Sequence, residues 1–333
     1  MTKRLRLAAS LLLLGVLAWR LEWSQVRAAF ASLRMDLWIL AVAVYAATQA
    51  VSAARWQLLS QPLGFHEPYR RYLSYYFIGM FFNLVLPTSV GGDVVRAWYL
   101  DGKSGRRTIA FISVVADRVS GVVVLLLLAL VALPFRPPDL PAWLAWMVAG
   151  LSGGALLGLT VLFFLPRVAK CKLQIASRNL ADRWRSRLDN LQFAICNLQL
   201  AIFPSRYVIL ISTVLSVIVQ LANVVVVCLI GHALNLPVPG SYYLILVPTV
   251  TLLTLLPVSL NGMGVREGGT VLLLAPLGVD AGTAITLAFL WFVAFFVPSL
   301  GGVFFYLAGG VPRFREQESG IRSQESGLRD LAA

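Results

Sequence analysis

Long runs of leucine, valine and alanine, separated by short basic or proline-rich stretches, predict a series of helices in an apolar medium. The runs lack the period-two alternation of an outer-membrane barrel. They predict six full spans, at 5–23, 37–56 (ending at Arg55-Trp56), 108–134, 142–165, 207–230 and 282–308. Residues 24–36, carrying Arg27 and Arg34, read as an amphipathic surface helix. Two further apolar segments, 70–100 and 242–276, are broken by proline and glycine. The second arm of the first, ending at Asp101-Gly102-Lys103, is too short to cross a bilayer, which takes about 20 residues. Both segments are therefore expected to be re-entrant hairpins, giving an all-α polytopic fold.

The two broken segments are versions of each other. Asn83-Leu84-Val85-Leu86-Pro87-Thr88-Ser89-Val90-Gly91-Gly92-Asp93-Val94-Val95-Arg96 aligns with Leu255-Leu256-Pro257-Val258-Ser259-Leu260-Asn261-Gly262-Met263-Gly264-Val265-Arg266-Glu267 at an offset of 170 positions. Leu86, Pro87, Ser89, Gly92, Val95 and Arg96 meet Leu256, Pro257, Ser259, Gly262, Val265 and Arg266. Paired interrupted segments in corresponding halves point to a transport site between them and to an inverted-topology repeat. The membrane domain is expected over 1–312, in halves of about 1–140 and 141–312, with 313–333 a polar, disordered tail.

Composition agrees. The 333 residues are 59% hydrophobic and 13% charged, with mean hydropathy +0.79; a soluble domain carries about 25% charged residues. The net charge of +13 would suggest nucleic acid in a soluble protein. Here the basic residues flank apolar runs, which fits cytoplasmic loops and anionic lipid, and no nucleic acid. Residues 166–206 hold Arg167, Lys170, Lys172, Arg178, Arg183, Arg185, Arg187 and Arg206 against Asp182 and Asp189, a cytoplasmic loop that includes a surface helix. Loop 231–241 has no acidic or basic residue, as an outside loop should. Both termini then lie in the cytoplasm of an inner-membrane protein, and the two hairpins enter from opposite sides. The first apolar run follows Lys3-Arg4-Leu5-Arg6 without a small-residue cleavage site and reads as an uncleaved signal anchor.

Several chemistries find no support. Cys171, Cys196 and Cys228 show no paired spacing, and His66 and His232 lie far apart, so metal ligation is not expected. There is no Ser-His-Asp set and no Walker-type loop, so neither catalysis nor ATP hydrolysis is expected and no cofactor is implied.

The charges inside apolar segments carry the candidate chemistry, because an intramembrane ionisable residue is costly. Asp93 is expected to cap the helix that follows the first break, with Arg96 in its first turn. A cation there opposes the helix dipole unless it shares an anionic guest, such as a phosphate, with the free N–H groups. The alternative is a structural Asp93–Arg96 pair, with Glu267 likewise neutralising Arg266. Asp117-Arg118 is a third charged pair within a span. Sequence neighbours point about 100° apart on a helix, so each should reach another element, near Arg96 or Arg55. Asn83, Ser89, Gly91, Gly92, Ser259, Asn261 and Gly262 complete the candidate cavity lining. The aromatics at 72–82 read as an interfacial belt rather than a ligand cage.

Arg55-Trp56 with Leu58-Leu59 and Gly64, the Asn83–Arg96 motif, Asp117-Arg118 with Gly121, and Pro257 to Glu267 together resemble the flippase-like membrane domain of lysylphosphatidylglycerol synthases and its stand-alone relatives, over roughly 5–310. The resemblance implies a domain with re-entrant helices that moves a charged lipid between leaflets, with Asp93, Arg96, Arg118, Arg266 and Glu267 at its centre. Full synthases add a soluble aminoacyl-transfer domain. This sequence has only a polar tail after the membrane part, so aminoacylation is not expected and other lipids, including isoprenoid-linked ones, become possible substrates.

Three functional classes follow. One is a flippase for an anionic or aminoacylated lipid. The second is a small-anion transporter coupled to protons through Asp93 or Glu267. The third is a non-transporting partner of a lipid- or glycan-modifying enzyme. An integral glycosyltransferase ranks fourth, for want of an acidic metal-binding cluster. Oligomeric state is left open.

Overall fold

A computed structural model describes residues 23–85, 91–102, 105–135, 142–176, 205–255 and 262–309. Ten α-helices run through them: α1 (Trp23–Ala31), α2 (Met35–Ser60), α3 (Tyr69–Val85), α4 (Gly91–Asp101), α5 (Arg107–Ala132), α6 (Ala142–Ala176), α7 (Arg206–Ala233), α8 (Tyr243–Leu255), α9 (Val265–Leu274) and α10 (Ala281–Gly309). The expected span at 5–23, most of the basic loop, and the tail lie outside these residues.

Four stretches are long and apolar enough to cross a membrane: Met35–Leu63, Arg107–Ala132, Arg206–Ala233 and Ala281–Ala308. Shorter apolar stretches cover Ala145–Val161 and Gly240–Leu255. Their outer faces carry Leu127, Val131, Val214, Ile218, Leu221, Phe289, Phe304 and Leu307 in exposed positions. Such a surface suits lipid rather than water. The chain is a multi-pass membrane protein.

Two boundaries differ from the sequence reading. The span expected to end at Arg55-Trp56 continues to Ser60 and then a 3₁₀ turn, Gln61–Leu63. Arg55 is therefore inside the bundle, 5% exposed, rather than at the end of a helix. Its charge is tolerated there because an aspartate neutralises it, as described below. Helix α6 runs on past 165 through Arg167 to Ala176, where a loop was expected.

Both broken segments are antiparallel helical hairpins. In the first, the facing pairs Asn83–Gly92, Gly79–Arg96 and Tyr75–Tyr99 step in opposite directions along α3 and α4. In the second, Thr254–Gly262, Val250–Gly269 and Tyr242–Leu273 do the same along α8 and α9 and the turns that lead into them. Arms α4 and α9, of 11 and 10 residues, are shorter than the roughly 20 residues a bilayer crossing takes.

A long–short–short–long order thus occurs twice, as α2-α3-α4-α5 and α7-α8-α9-α10. The two quartets contact each other reciprocally. The opening helices α2 and α7 pack along one another, α5 closes on α8 and α7, and α10 closes on α3 and α2.

Among the described glycines, the tightest approach of backbone to backbone is between α3 and α4. A Cβ on Gly92 would stand 1.9 Å from the Gly79 carbonyl oxygen, and one on Gly79 would stand 2.3 Å from Arg96 Cγ. Only glycine at both positions lets the hairpin close and carries Arg96 inward.

Candidate functional site

Five charged side chains from three helices, α2, α4 and α5, meet inside the first quartet. Arg55 on α2 donates from Nε to Asp117 Oδ1 on α5 at 2.9 Å, and from Nη1 to Ser216 Oγ on α7 at 2.9 Å. Arg96 on α4 donates from Nη2 to the other oxygen of Asp117, at 3.2 Å. Asp117 is 1% exposed and Arg96 2%. Arg96 Nη1 also lies 3.5 Å from Asp93 Oδ1. Arg118 grips Asp93 from Nε at 3.0 Å and Nη2 at 2.9 Å. The expectation that Asp117 and Arg118 reach separate partners near Arg96 and Arg55 holds, since they leave α5 in different directions.

The guanidinium of Arg96 is also sandwiched between rings. Its Cζ lies 4.3 Å from the Trp56 ring centre and 4.1 Å from that of Tyr76. Trp56 is held in turn by a hydrogen bond to Ser113 Oγ at 3.1 Å and by an edge contact with Tyr72. A planar, weakly hydrated cation gains from such flanking rings once water is excluded. The belt reading of the 72–82 aromatics fails for Tyr72, which is buried, and for Tyr76, which cradles Arg96. Phe77 and Phe82 pack on Phe305 and Tyr306 of α10. Arg96 Nε is buried without a hydrogen-bond partner among the described residues.

The expected helix cap is corrected. Helix α4 begins at Gly91, so Asp93 is already its third residue and Arg96 lies in its second turn. The Gly92 N–H is taken at 2.8 Å by Asn83 Oδ1, from the end of α3. Asp93 is thereby left to Arg118. In the second hairpin the Glu267 carboxylate accepts the Gly264 N–H at 2.6 Å, which ties it to the start of α9. Gly262 has φ +75° in the turn before that helix. Arg266, 6% exposed, rests against Phe295 and Phe292 of α10 at 4.9 and 5.4 Å. Each hairpin thus places an arginine against two aromatic rings. Ser89, Ser259 and Asn261 lie outside the described residues.

Two cavities adjoin these arginines. One, of about 290 Å³, is lined by Arg96, Arg118, Asn83, Gln49, Tyr76 and Ser299, among others. The second, of about 180 Å³, is lined by Arg266, Gln220, Asn223, Thr251 and Trp291, among others. Tyr45, Thr254 and Phe295 line both. Arg118, whose side chain is 52% exposed, is the most accessible cation of the network.

Sequence reasoning singled out six described residues that the structure brings to the two cavities or their charged wall: Asn83, Asp93, Arg96, Asp117, Arg118 and Arg266. It named Arg55 only as a neighbour for Asp117 and Arg118 and Trp56 only within the family motif, read Tyr76 as part of a belt, and missed Ser216 and Tyr45. Arg55 carried a signal, being an arginine ahead of an apolar stretch that does not end there. Gly121 carried another, since a Cβ on it would stand 3.3 Å from Arg55 Nη1.

Residues 4–302 match the family model described as the lysylphosphatidylglycerol synthase TM region. The chain belongs to that family. Its matched segment contains every helix described here up to the last turns of α10, and the family is one of membrane domains linked to phospholipid modification and translocation. The match is to the membrane region of the synthases and not to their catalytic part. No curated protein matches the chain.

Proposed function

We propose that this family member moves a lipid with an anionic headgroup, a phospholipid or an isoprenoid-linked lipid, between the leaflets of the cell's inner membrane. The headgroup travels through the two adjoining cavities while the acyl chains stay in the bilayer. The observation that carries the proposal is the charge balance of the buried network. Three arginines (Arg55, Arg96, Arg118) face two aspartates (Asp93, Asp117), which leaves one positive charge beside a cavity. The excess cation is on the accessible side of the network, where Arg118 is half-exposed at the cavity edge, and a monoanionic phosphodiester supplies the missing charge there. The reciprocal packing of the two quartets supports inverted halves, each contributing one re-entrant hairpin to a site near the midplane. With both termini in the cytoplasm, the hairpins enter from opposite faces. Exchange needs no ATP site; a gradient or removal of product gives it direction.

The test is leaflet exchange of fluorescent anionic lipids in liposomes carrying the purified protein, its Arg118→Gln variant and its Arg266→Gln variant. Exchange by the native chain that both substitutions abolish, with folding intact, supports the reading. Uptake of a small anion without lipid movement would replace it with anion transport. Movement of neither would favour service to a lipid- or glycan-modifying enzyme.

A further inference from the structure

The two cavities differ in chemistry, and the difference bears on the headgroup. The first holds two arginines and suits a phosphate. The second holds Arg266 among uncharged hydrogen-bonding groups: Gln220, Asn223, Thr251 and Thr254. Thr251 donates its hydroxyl proton to Val247 O at 2.7 Å and Thr254 to Thr251 O at 2.7 Å. Each hydroxyl oxygen therefore meets the cavity with lone pairs only. Gln220 commits Nε2 to Gly121 O at 3.0 Å, leaving its amide oxygen as an acceptor. The Asn223 side chain makes no hydrogen bond within the described residues, its backbone being held in helix α7.

A chamber rich in acceptors needs a guest that donates. A second phosphodiester donates nothing and would leave these oxygens unpaired. An ammonium donates, but Arg266 repels it, and no carboxylate is among the described residues lining either cavity. Hydroxyl groups both donate to the threonine and glutamine oxygens and accept from Arg266 and Asn223. The ring faces of Trp291 and Phe295 offer a surface for the C–H side of such a guest.

We infer that the Arg266 cavity is a subsite for a neutral polyhydroxy headgroup, glycerol or sugar, whose phosphate lies in the Arg96–Arg118 cavity, and that aminoacylated headgroups are disfavoured. The two parts meet where Tyr45, Thr254 and Phe295 form the wall common to both cavities. The inference rests on the transport reading for its purpose, though binding tests it separately.

The experiment is a thermal-shift titration of the full chain in detergent with four short-chain probes: dioctanoyl phosphatidylglycerol, phosphatidic acid, phosphatidylethanolamine and lysyl-phosphatidylglycerol. Phosphatidylglycerol is expected to bind about tenfold tighter than phosphatidic acid, the worth of one or two hydrogen bonds, and tighter than both amine-bearing lipids. Thr251→Val, which keeps the shape, and Asn223→Leu should each erode that preference while leaving phosphatidic acid affinity unchanged. Equal binding of phosphatidylglycerol and phosphatidic acid, or tightest binding of an amine-bearing lipid, overturns the inference. So does a uniform loss in the variants. A retained preference without leaflet exchange would sink the transport reading alone; exchange without preference would sink only this one.

Discussion

Arg118 holds Asp93 through two nitrogens, at 3.0 and 2.9 Å, across 25 positions of sequence. It leaves its neighbour Asp117 to Arg55 and Arg96. The pair joins α5 to α4 at the edge of the larger cavity. A carboxylate in that fork is the kind of group a phosphate oxygen can replace.

Removing the cation should therefore separate binding from folding. Arg118→Gln is expected to leave the bundle assembled, because the side chain is half-exposed, and to weaken anionic-lipid binding about 10- to 100-fold, the range for a charged hydrogen bond. Titration with dioctanoyl phosphatidylglycerol, alongside a melting curve, checks both halves. Unchanged affinity would remove Arg118 from the site.

Asp117 has the opposite character. It neutralises two buried arginines, and its loss leaves both uncompensated. Asp117→Ala is expected to cost about 3–5 kcal/mol, read as a fall in Tm in detergent. A stability within about 1 kcal/mol of the native chain would mean that water or another carboxylate reaches Arg55 and Arg96.

Charge alone does not explain Arg96. Arg96→Lys keeps the charge but loses the planar fork and the fit between Trp56 and Tyr76. Leaflet exchange should drop at least about tenfold, from loss of a cation–π sandwich and one charged hydrogen bond. Full exchange by the lysine variant would reduce Arg96 to a counter-charge for Asp117.

The hairpin crossing is sterically closed to any side chain. Gly92→Ala is expected to destabilise by about 1–3 kcal/mol or more through overpacking, and to move Arg96 away from Asp117. Gly92→Ala and Gly79→Ala should not add, because both act on one contact. Comparing the single and double variants by thermal unfolding decides this.

Much of the plan was legible along the chain. The offset of 170 between Leu86–Arg96 and Leu256–Arg266, and the shortness of the arms that follow, identified two hairpins and the arginine each carries. Charges inside apolar runs identified Asp93, Asp117 and Arg118, because such groups are too costly to be incidental. Local rules misplaced the first cap. A cap can come from any chain segment that reaches the helix start, and Asn83 arrives from the preceding arm.

The sequence by itself determined that this is a helical membrane protein with two similar broken motifs, since hydropathy and periodicity are local properties that need no partner to be read. Only the tertiary structure decided which carboxylate meets which arginine, why Arg55 is tolerated at depth, and that Trp56 and Tyr76 close on Arg96. Those contacts join residues 20 or more positions apart on α2, α3, α4 and α5. They follow from how helices cross, which no single stretch of chain encodes. The same holds for the cavities, whose common wall of Tyr45, Thr254 and Phe295 draws on α2, α8 and α10.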